Sequence, residues 1–170
     1  MTDDEEADFS QFVRDRGDAL LRRARLLIPD DGEAEDALQT ALLRLTRHWS
    51  RQLDSPQAYV QRTLVNLAAD RGRRRHLVAA PSQAVDTAAT SSDHAEAHAA
   101  RARLDELLSL LPPRQRIAVV LRVIDGLSES ETAAAMGTSV GTAKSNLSRG
   151  LRTIREALAA PAPCLERTQP

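Results

Sequence analysis

The chain has 170 residues, 42% of them apolar but only 2% aromatic, so one medium or two small domains must draw their cores from Leu, Ala, Val and Ile. The formal net charge of −1 points to no partner by itself, and a lone cysteine, Cys164, excludes a disulfide framework and suits a reducing compartment. The N-terminus MTDDEEADFS is acidic where a signal peptide is basic and then apolar, and no apolar run reaches the roughly 18 residues of a membrane span; the expectation is a cytosolic protein without membrane insertion.

Apolar residues between Phe9 and Ile28 fall mostly three and four apart, which predicts a helix over about 8–28, ended by Pro29 and the Asp30-Asp31-Gly32 cluster. A second helix is expected over about 33–49, with Ala34, Ala37, Leu38, Ala41, Leu42 and Leu45 on one face. Ser55-Pro56 is a helix start, Ser at the N-cap and Pro at the first helical position, and opens a third helix over about 56–77 that ends in RGRRRH. From Ala79 to Ala97 the text is small and polar, without apolar period, and reads as a linker.

Beyond it a short helix is expected over 104–111, stopped by Pro112-Pro113. Another is expected over 114–125, with Ile117, Val120, Leu121 and Ile124 facing inward, closed by Gly126. Ser128 and Glu131 form a capping box for a helix that breaks at Gly137. Thr138 or Ser139 then caps a last helix running to about Ala159. No segment reads as a strand, so the fold class is all-α: two small helical domains joined by a flexible linker, the C-terminal one with a helix-turn-helix.

Charge is distributed in blocks. Residues 1–36 carry 12 acids against five arginines, and residues 37–80 carry eight arginines against two acids. Residues 81–113 are acidic again and residues 114–160 basic. Such alternation marks nucleic-acid contact, although solvated helix faces produce it too.

The last two helices fit a helix-turn-helix: Ala133, Ala134 and Ala135 for close packing, Gly137 for the turn, and an inward stripe of Val140, Ala143, Leu147, Leu151 and Ile154. The opposite face holds Thr142, Lys144, Ser145, Asn146, Ser148, Arg149 and Arg152, with no acid between Gly137 and Arg155. Hydroxyls and amides can bond phosphates or base edges while Lys and Arg neutralise phosphate, whereas a merely solvated face would normally carry Glu and Asp as well.

The third helix carries Arg62, Asn66, Asp70, Arg73 and Arg74, and four arginines fall within residues 71–75. Cations stabilise a helix C-terminus, but four exceed what capping needs, which favours phosphate binding. Trp49 and Tyr59 fit a core or interface role, or stacking on an unpaired base. Phe9 and Phe12 read as core. His94 and His98 stand four apart but lack a third metal ligand, and neither a Gly-rich phosphate loop nor a Ser/His/Asp set stands out. No metal, cofactor or catalytic residue is expected.

In order along the chain, AEDALQTALLRL at 34–45, SPQAYVQRTLVNLAADRGRRRH at 55–76 and the 107–158 stretch containing LPPRQR, GLSESETA and VGTAKSNLSR resemble the extracytoplasmic-function (ECF) group of bacterial RNA polymerase sigma factors, with a composition like actinobacterial members. The resemblance implies a region 2-like domain over 1–78, a linker over 79–100, a region 4-like domain over 101–160 and a tail over 161–170.

It further implies a specificity subunit with no active site, which binds core RNA polymerase and promoter DNA. Asp36, Gln39, Leu42 and Arg44 would dock on the clamp helices of the largest polymerase subunit, and the second domain on the flap of the second-largest. Trp49, Tyr59, Arg62, Asn66, Asp70, Arg73 and Arg74 would meet the minus-ten element, with the loop from Trp49 to Ser55 receiving a base turned out of the stack. The polar face of the last helix would meet the minus-thirty-five element, and an anti-sigma factor is a candidate further partner. Thr40 and Leu42 stand where the family usually has an acid and an aromatic, and Asn146 where an Arg is common. The rival reading is a stand-alone regulator that uses only the C-terminal helices.

Overall fold

The computed structural model describes residues 2–49, 55–77 and 95–159. Most of the Trp49–Ser55 loop, most of the expected linker, His94 and the tail lie outside the described residues, as do the side chains of Arg74, Arg75 and His98. Among the described residues there are seven α-helices, one π-helical turn and no strand: α1 (Asp3–Leu27), α2 (Asp31–Thr46), α3 (Pro56–Leu77), α4 (Ala95–Ser109), α5 (Pro113–Val119) running into the π turn Val120–Ile124, α6 (Glu129–Met136) and α7 (Val140–Ala159).

α1 starts six residues before its apolar period because polar chemistry starts it. Thr2 Oγ1 accepts from the Glu5 amide at 3.4 Å, Glu5 Oε2 accepts from the Thr2 amide at 2.8 Å, and four acids fill the first turn. Asp30 Oδ1 accepts from the Glu33 amide at 2.8 Å and starts α2. Ser55 Oγ accepts from the Ala58 amide at 3.2 Å at the head of α3. The three helices bury Leu20, Ala24 and Leu27 of α1, Ala34, Ala37, Ala41 and Leu45 of α2, and Val60, Leu64, Val65 and Ala68 of α3. Alanine every third or fourth position lets α2 sit close between its neighbours. α2 stops at Thr46, three residues short of the expected end, and Leu42 is only half-buried.

α4 begins at Ala95, inside the stretch expected to be linker and nine residues before the helix predicted at 104. Residues 95–103, AEAHAARAR, are rich in good helix formers and carry no apolar stripe, and 99–103 are exposed, which leaves helix propensity to start α4. Arg116, only 5% exposed, closes the corner between α4 and α5. Its Nε donates to Leu108 O at 2.7 Å, and its Nη2 to Leu111 O at 2.8 Å and Ser109 O at 3.2 Å. These carbonyls lie at the C-terminal end of α4, where intrahelical donors run out, and Leu108 O also accepts from the Leu111 amide at 3.1 Å.

The helix predicted over 114–125 is not uniform. At its end the Asp125 amide bonds Val120 O at 3.0 Å, an i to i−5 step that widens the last turn. The extra residue rotates the end of the helix, so Ile124 is exposed rather than inward-facing, as is Val123, while Ile117, Ala118, Val119, Val120 and Leu121 are buried.

The two halves pack on one another. α3 lies against α5 and α6, and the buried apolar residues of both halves form one continuous cluster. A Cβ on Gly72 would stand 2.5 Å from the Pro113 Cβ, so α3 and α5 meet where only glycine fits. Arg23 Nη1 of α1 and Asp125 Oδ1 form an ion pair across the halves, their side chains 13% and 19% exposed.

Candidate nucleic-acid interface

The C-terminal half builds its polar face from a fixed turn. Ser128 Oγ accepts from the Glu131 amide at 3.2 Å, and Glu131 Oε2 accepts from the Ser128 amide at 2.8 Å. Hydrogen bonding to its carboxyl from Ser128, from the side chain first and the backbone amide second, holds Glu131 below its ordinary range. α6 ends at Gly137 in the left-handed region (φ 61°), with the Thr138 amide bonded to Ala133 O at 3.0 Å and the Gly137 amide to Ala134 O at 3.2 Å. Of the two expected caps, Ser139 serves: its Oγ accepts from the Thr142 amide at 3.2 Å.

The turn fixes how α7 leaves α6. Ala143 is buried, and Leu147, Leu151 and Ile154 are half-buried against the core, as the spacing predicts. Val140, expected in that stripe, is 41% exposed, and Gly150, which was not, is buried. A Cβ on Gly150 would stand 2.9 Å from Val119 Cγ2, so this glycine sets the approach of α7 to α5. Apolar periodicity cannot report a residue that packs by having no side chain.

Thr142, Lys144, Ser145, Ser148, Arg149 and Arg152 are all exposed on α7. Asn146 is half-buried, its Nδ2 donating to Thr142 O at 2.9 Å. Lys144 Nζ lies 2.9 Å from Glu129 Oε2 at the head of α6, and Arg152 Nε lies 4.0 Å from Glu156 Oε1. Acids absent from the face itself therefore approach it from its edge and its far end, at positions exposed enough for phosphate oxygens to replace them.

On α3, Arg62, Asn66 and Arg73 are exposed and Asp70 is half-buried, paired with Arg73. Arg71 Nε lies 3.9 Å from Glu33 Oε2 of α2. Tyr59 is half-buried beside His48, ring centroids 5.6 Å apart. Trp49 packs on α1, its ring 5.2 Å from Phe9 edge-on and 5.5 Å from Phe12. It holds the chain just past α2 against α1, and part of its ring stays exposed.

On α2, Asp36, Gln39 and Arg44 are exposed. Leu42 packs against the core while Leu43 is 67% exposed, so Leu43, three and four residues along the helical face from Asp36 through Gln39, belongs to this surface. Its spacing of seven from Asp36 was the available signal. Two crevices among the described residues each hold about 10 Å³, room for one water molecule.

These faces coincide with matched regions. Sigma-70 region 2 matches residues 12–77 and sigma-70 region 4 matches residues 101–154. The RNA polymerase sigma-E factor of Streptomyces avermitilis is 43% identical over 160 residues, covering 93% of this chain and 89% of that one. The ECF RNA polymerase sigma factor SigE of Mycolicibacterium smegmatis is 33% identical over 159 residues, covering 89% of this chain and 62% of its own. Among solved structures, the sigma factor RpoE of Bartonella quintana, in complex with the anti-sigma factor NepR, is similar with a TM-score of 0.61 at 25% identity, covering 91% of this chain and 99% of that one. With both regions in the same order and the likeness running nearly end to end, the chain belongs to the ECF group of RNA polymerase sigma factors, which direct promoter-specific transcription initiation.

Proposed function

We propose that the three helix faces divide the work of initiation. The α2 face of Asp36, Gln39, Leu43 and Arg44 docks on the clamp helices of the largest polymerase subunit, with Leu42 bracing it from the core side, and the second half meets the flap of the second-largest. The α3 face of Arg62, Asn66, Asp70, Arg73 and Arg74, together with the loop that Trp49 anchors and the neighbouring Tyr59, takes the minus-ten element. Opening the duplex there costs a few kcal/mol per step, offset by contacts to the separated strand. The α7 face of Thr142, Lys144, Ser145, Asn146, Ser148, Arg149 and Arg152 takes the minus-thirty-five element. The chain catalyses no reaction of its own and acts in the cytoplasm. An anti-sigma factor is a further partner, in keeping with the complex in which the Bartonella relative was solved.

The observation that carries this reading is the exposed, acid-free face of α7 mounted on a left-handed glycine turn, in a chain whose other basic face lies on α3. Run-off transcription with purified core polymerase tests it. Lys144→Ala with Arg149→Ala lowers promoter-specific transcripts and leaves core binding intact. Asp36→Ala with Gln39→Ala weakens capture of core enzyme. Loss of core binding in the first pair, or none in the second, refutes the division, and a tight sequence-specific footprint by the chain alone favours the stand-alone regulator.

A further inference from the structure

We infer that Val140 is a specificity-determining residue: its methyl groups select a thymine at one base pair of the minus-thirty-five element by packing on the 5-methyl group in the major groove. The inference rests on the proposed docking of α7 on that element. A helix-turn-helix brings the N-terminal residues of its second helix to the base edges, and Val140 is the first residue of α7. Its spacing from Ala143 and Leu147 belongs to the buried stripe. Yet Val140 is 41% exposed and lies outside the core cluster, since burial along α7 begins only at Ala143. The free chain thus leaves a branched apolar side chain in water at the end of the helix that enters the groove.

Gly141 is an independent sign that something approaches closely there. The helical glycines Gly72 and Gly150 are required by packing within the chain: a Cβ would stand 2.5 Å from Pro113 Cβ on the first and 2.9 Å from Val119 Cγ2 on the second. A Cβ on Gly141 would meet only Ser139 Oγ, at an ordinary 4.0 Å, and its φ is not positive. Alanine would fit the described residues and favour the helix more. The missing side chain therefore serves a surface outside the chain, one that comes against the backbone beside Val140.

The contact made there is apolar. On either side of Val140 and Gly141, the Ser139 and Thr142 hydroxyls lie 2.9 Å apart and bond each other. The Thr142 amide donates to Ser139 Oγ at 3.2 Å, and the Ala143 amide to Ser139 O at 3.0 Å. The Thr142 carbonyl accepts from Asn146 Nδ2 at 2.9 Å. With these groups engaged, the first turn of α7 presents the Val140 side chain and the bare backbone of Gly141. Thymine alone among the four bases carries a methyl group on its major-groove edge, so Val140 reads it without a hydrogen bond.

The test uses the full chain with purified core polymerase and a pool of promoter duplexes randomised at both elements, the bound fraction being sequenced. The parent enriches thymine at one minus-thirty-five position, and Val140→Ala loses that preference while keeping the others. A selected duplex with deoxyuridine at that position lacks only the methyl group. The parent binds it about fourfold more weakly, the worth of one buried carbon, whereas Val140→Ala binds both duplexes alike. Gly141→Ala keeps or raises the thermal midpoint and weakens binding of every duplex about five- to tenfold, as a methyl group forced into a packed contact does. Three results overturn the inference: no thymine enriched by the parent, an equal response of parent and Val140→Ala to deoxyuridine, or full-strength binding by Gly141→Ala. Failure of the α7 reading itself looks different, because Lys144→Ala with Arg149→Ala then selects the same minus-thirty-five sequences as strongly as the parent.

Discussion

Replacing Arg116 with methionine tests how the second half is held together. The guanidinium donates three hydrogen bonds to carbonyls at the end of α4, two of them well formed at 2.7 and 2.8 Å and one weaker at 3.2 Å. Hydrogen bonds from a charged donor contribute about 1.5–3 kcal/mol each, and a buried acceptor left alone costs about 1–3 kcal/mol. Against this, methionine keeps the apolar stem packed and removes the desolvation cost of a buried charge. The balance is about 3 kcal/mol of lost stability, or a Tm lower by about 6–12 °C for a chain of this size. Far-UV circular dichroism during a thermal ramp measures it, with loss of duplex binding at temperatures where α1–α3 remain folded as the functional consequence. A shift below about 2 °C would refute the reasoning, since it would mean that the end of α4 does not depend on the guanidinium.

Glu129→Gln releases Lys144 from its carboxylate and should tighten binding of a promoter duplex about two- to threefold, in line with the worth of an exposed ion pair; weaker binding by anisotropy would show that Glu129 positions the lysine instead. Gly150→Ala forces α7 away from Val119 and should cost about 1–3 kcal/mol in a denaturant titration, the range for overpacking; an unchanged midpoint would mean the helices part freely. Ser128→Ala should cost about 1 kcal/mol as a lost N-cap, read from the same titration. Because Glu131 is held below its ordinary range, its contribution is fully present above that range and is lost as pH falls through the lowered value; the stability gap between the parent and Glu131→Gln should be level at neutral pH and close in acid.

Local chemistry made much of the architecture legible. Ser55-Pro56, the Ser128/Glu131 box and Gly137 each act over one helical turn, and each starts or ends a helix where expected. The stripe on α2 was readable because Ala and Leu at steps of three and four have one economical solution, burial between two neighbours.

What escaped depends on contacts far apart in sequence or on atoms that are missing. Arg116 counts as positive charge in any composition, yet it is a buried staple bonded to carbonyls and not part of an exposed basic face. Gly72 and Gly150 act through what they lack. The π turn, which no local propensity encodes, turned Ile124 outward. α4 began early because helix propensity without an apolar face leaves no period to see. For the candidate site, the α7 face was readable because its exposed residues share one polar chemistry. That Leu43 rather than Leu42 is the more exposed of the pair turned on a rotation of about 100° per residue, which only the packed helix fixes.

The placement of Trp49 has a practical consequence for spectroscopy. Both phenylalanines, the sole tryptophan and the sole tyrosine lie within the first 59 residues, and Trp49 is wedged against Phe9 and Phe12. Intrinsic emission is therefore a private channel for α1–α3, and the C-terminal half melts in the dark. A fluorescence melt overlaid on a backbone-absorbance melt will separate the two halves without any label, and coincidence or splitting of the curves will show directly whether they unfold as one unit or as two.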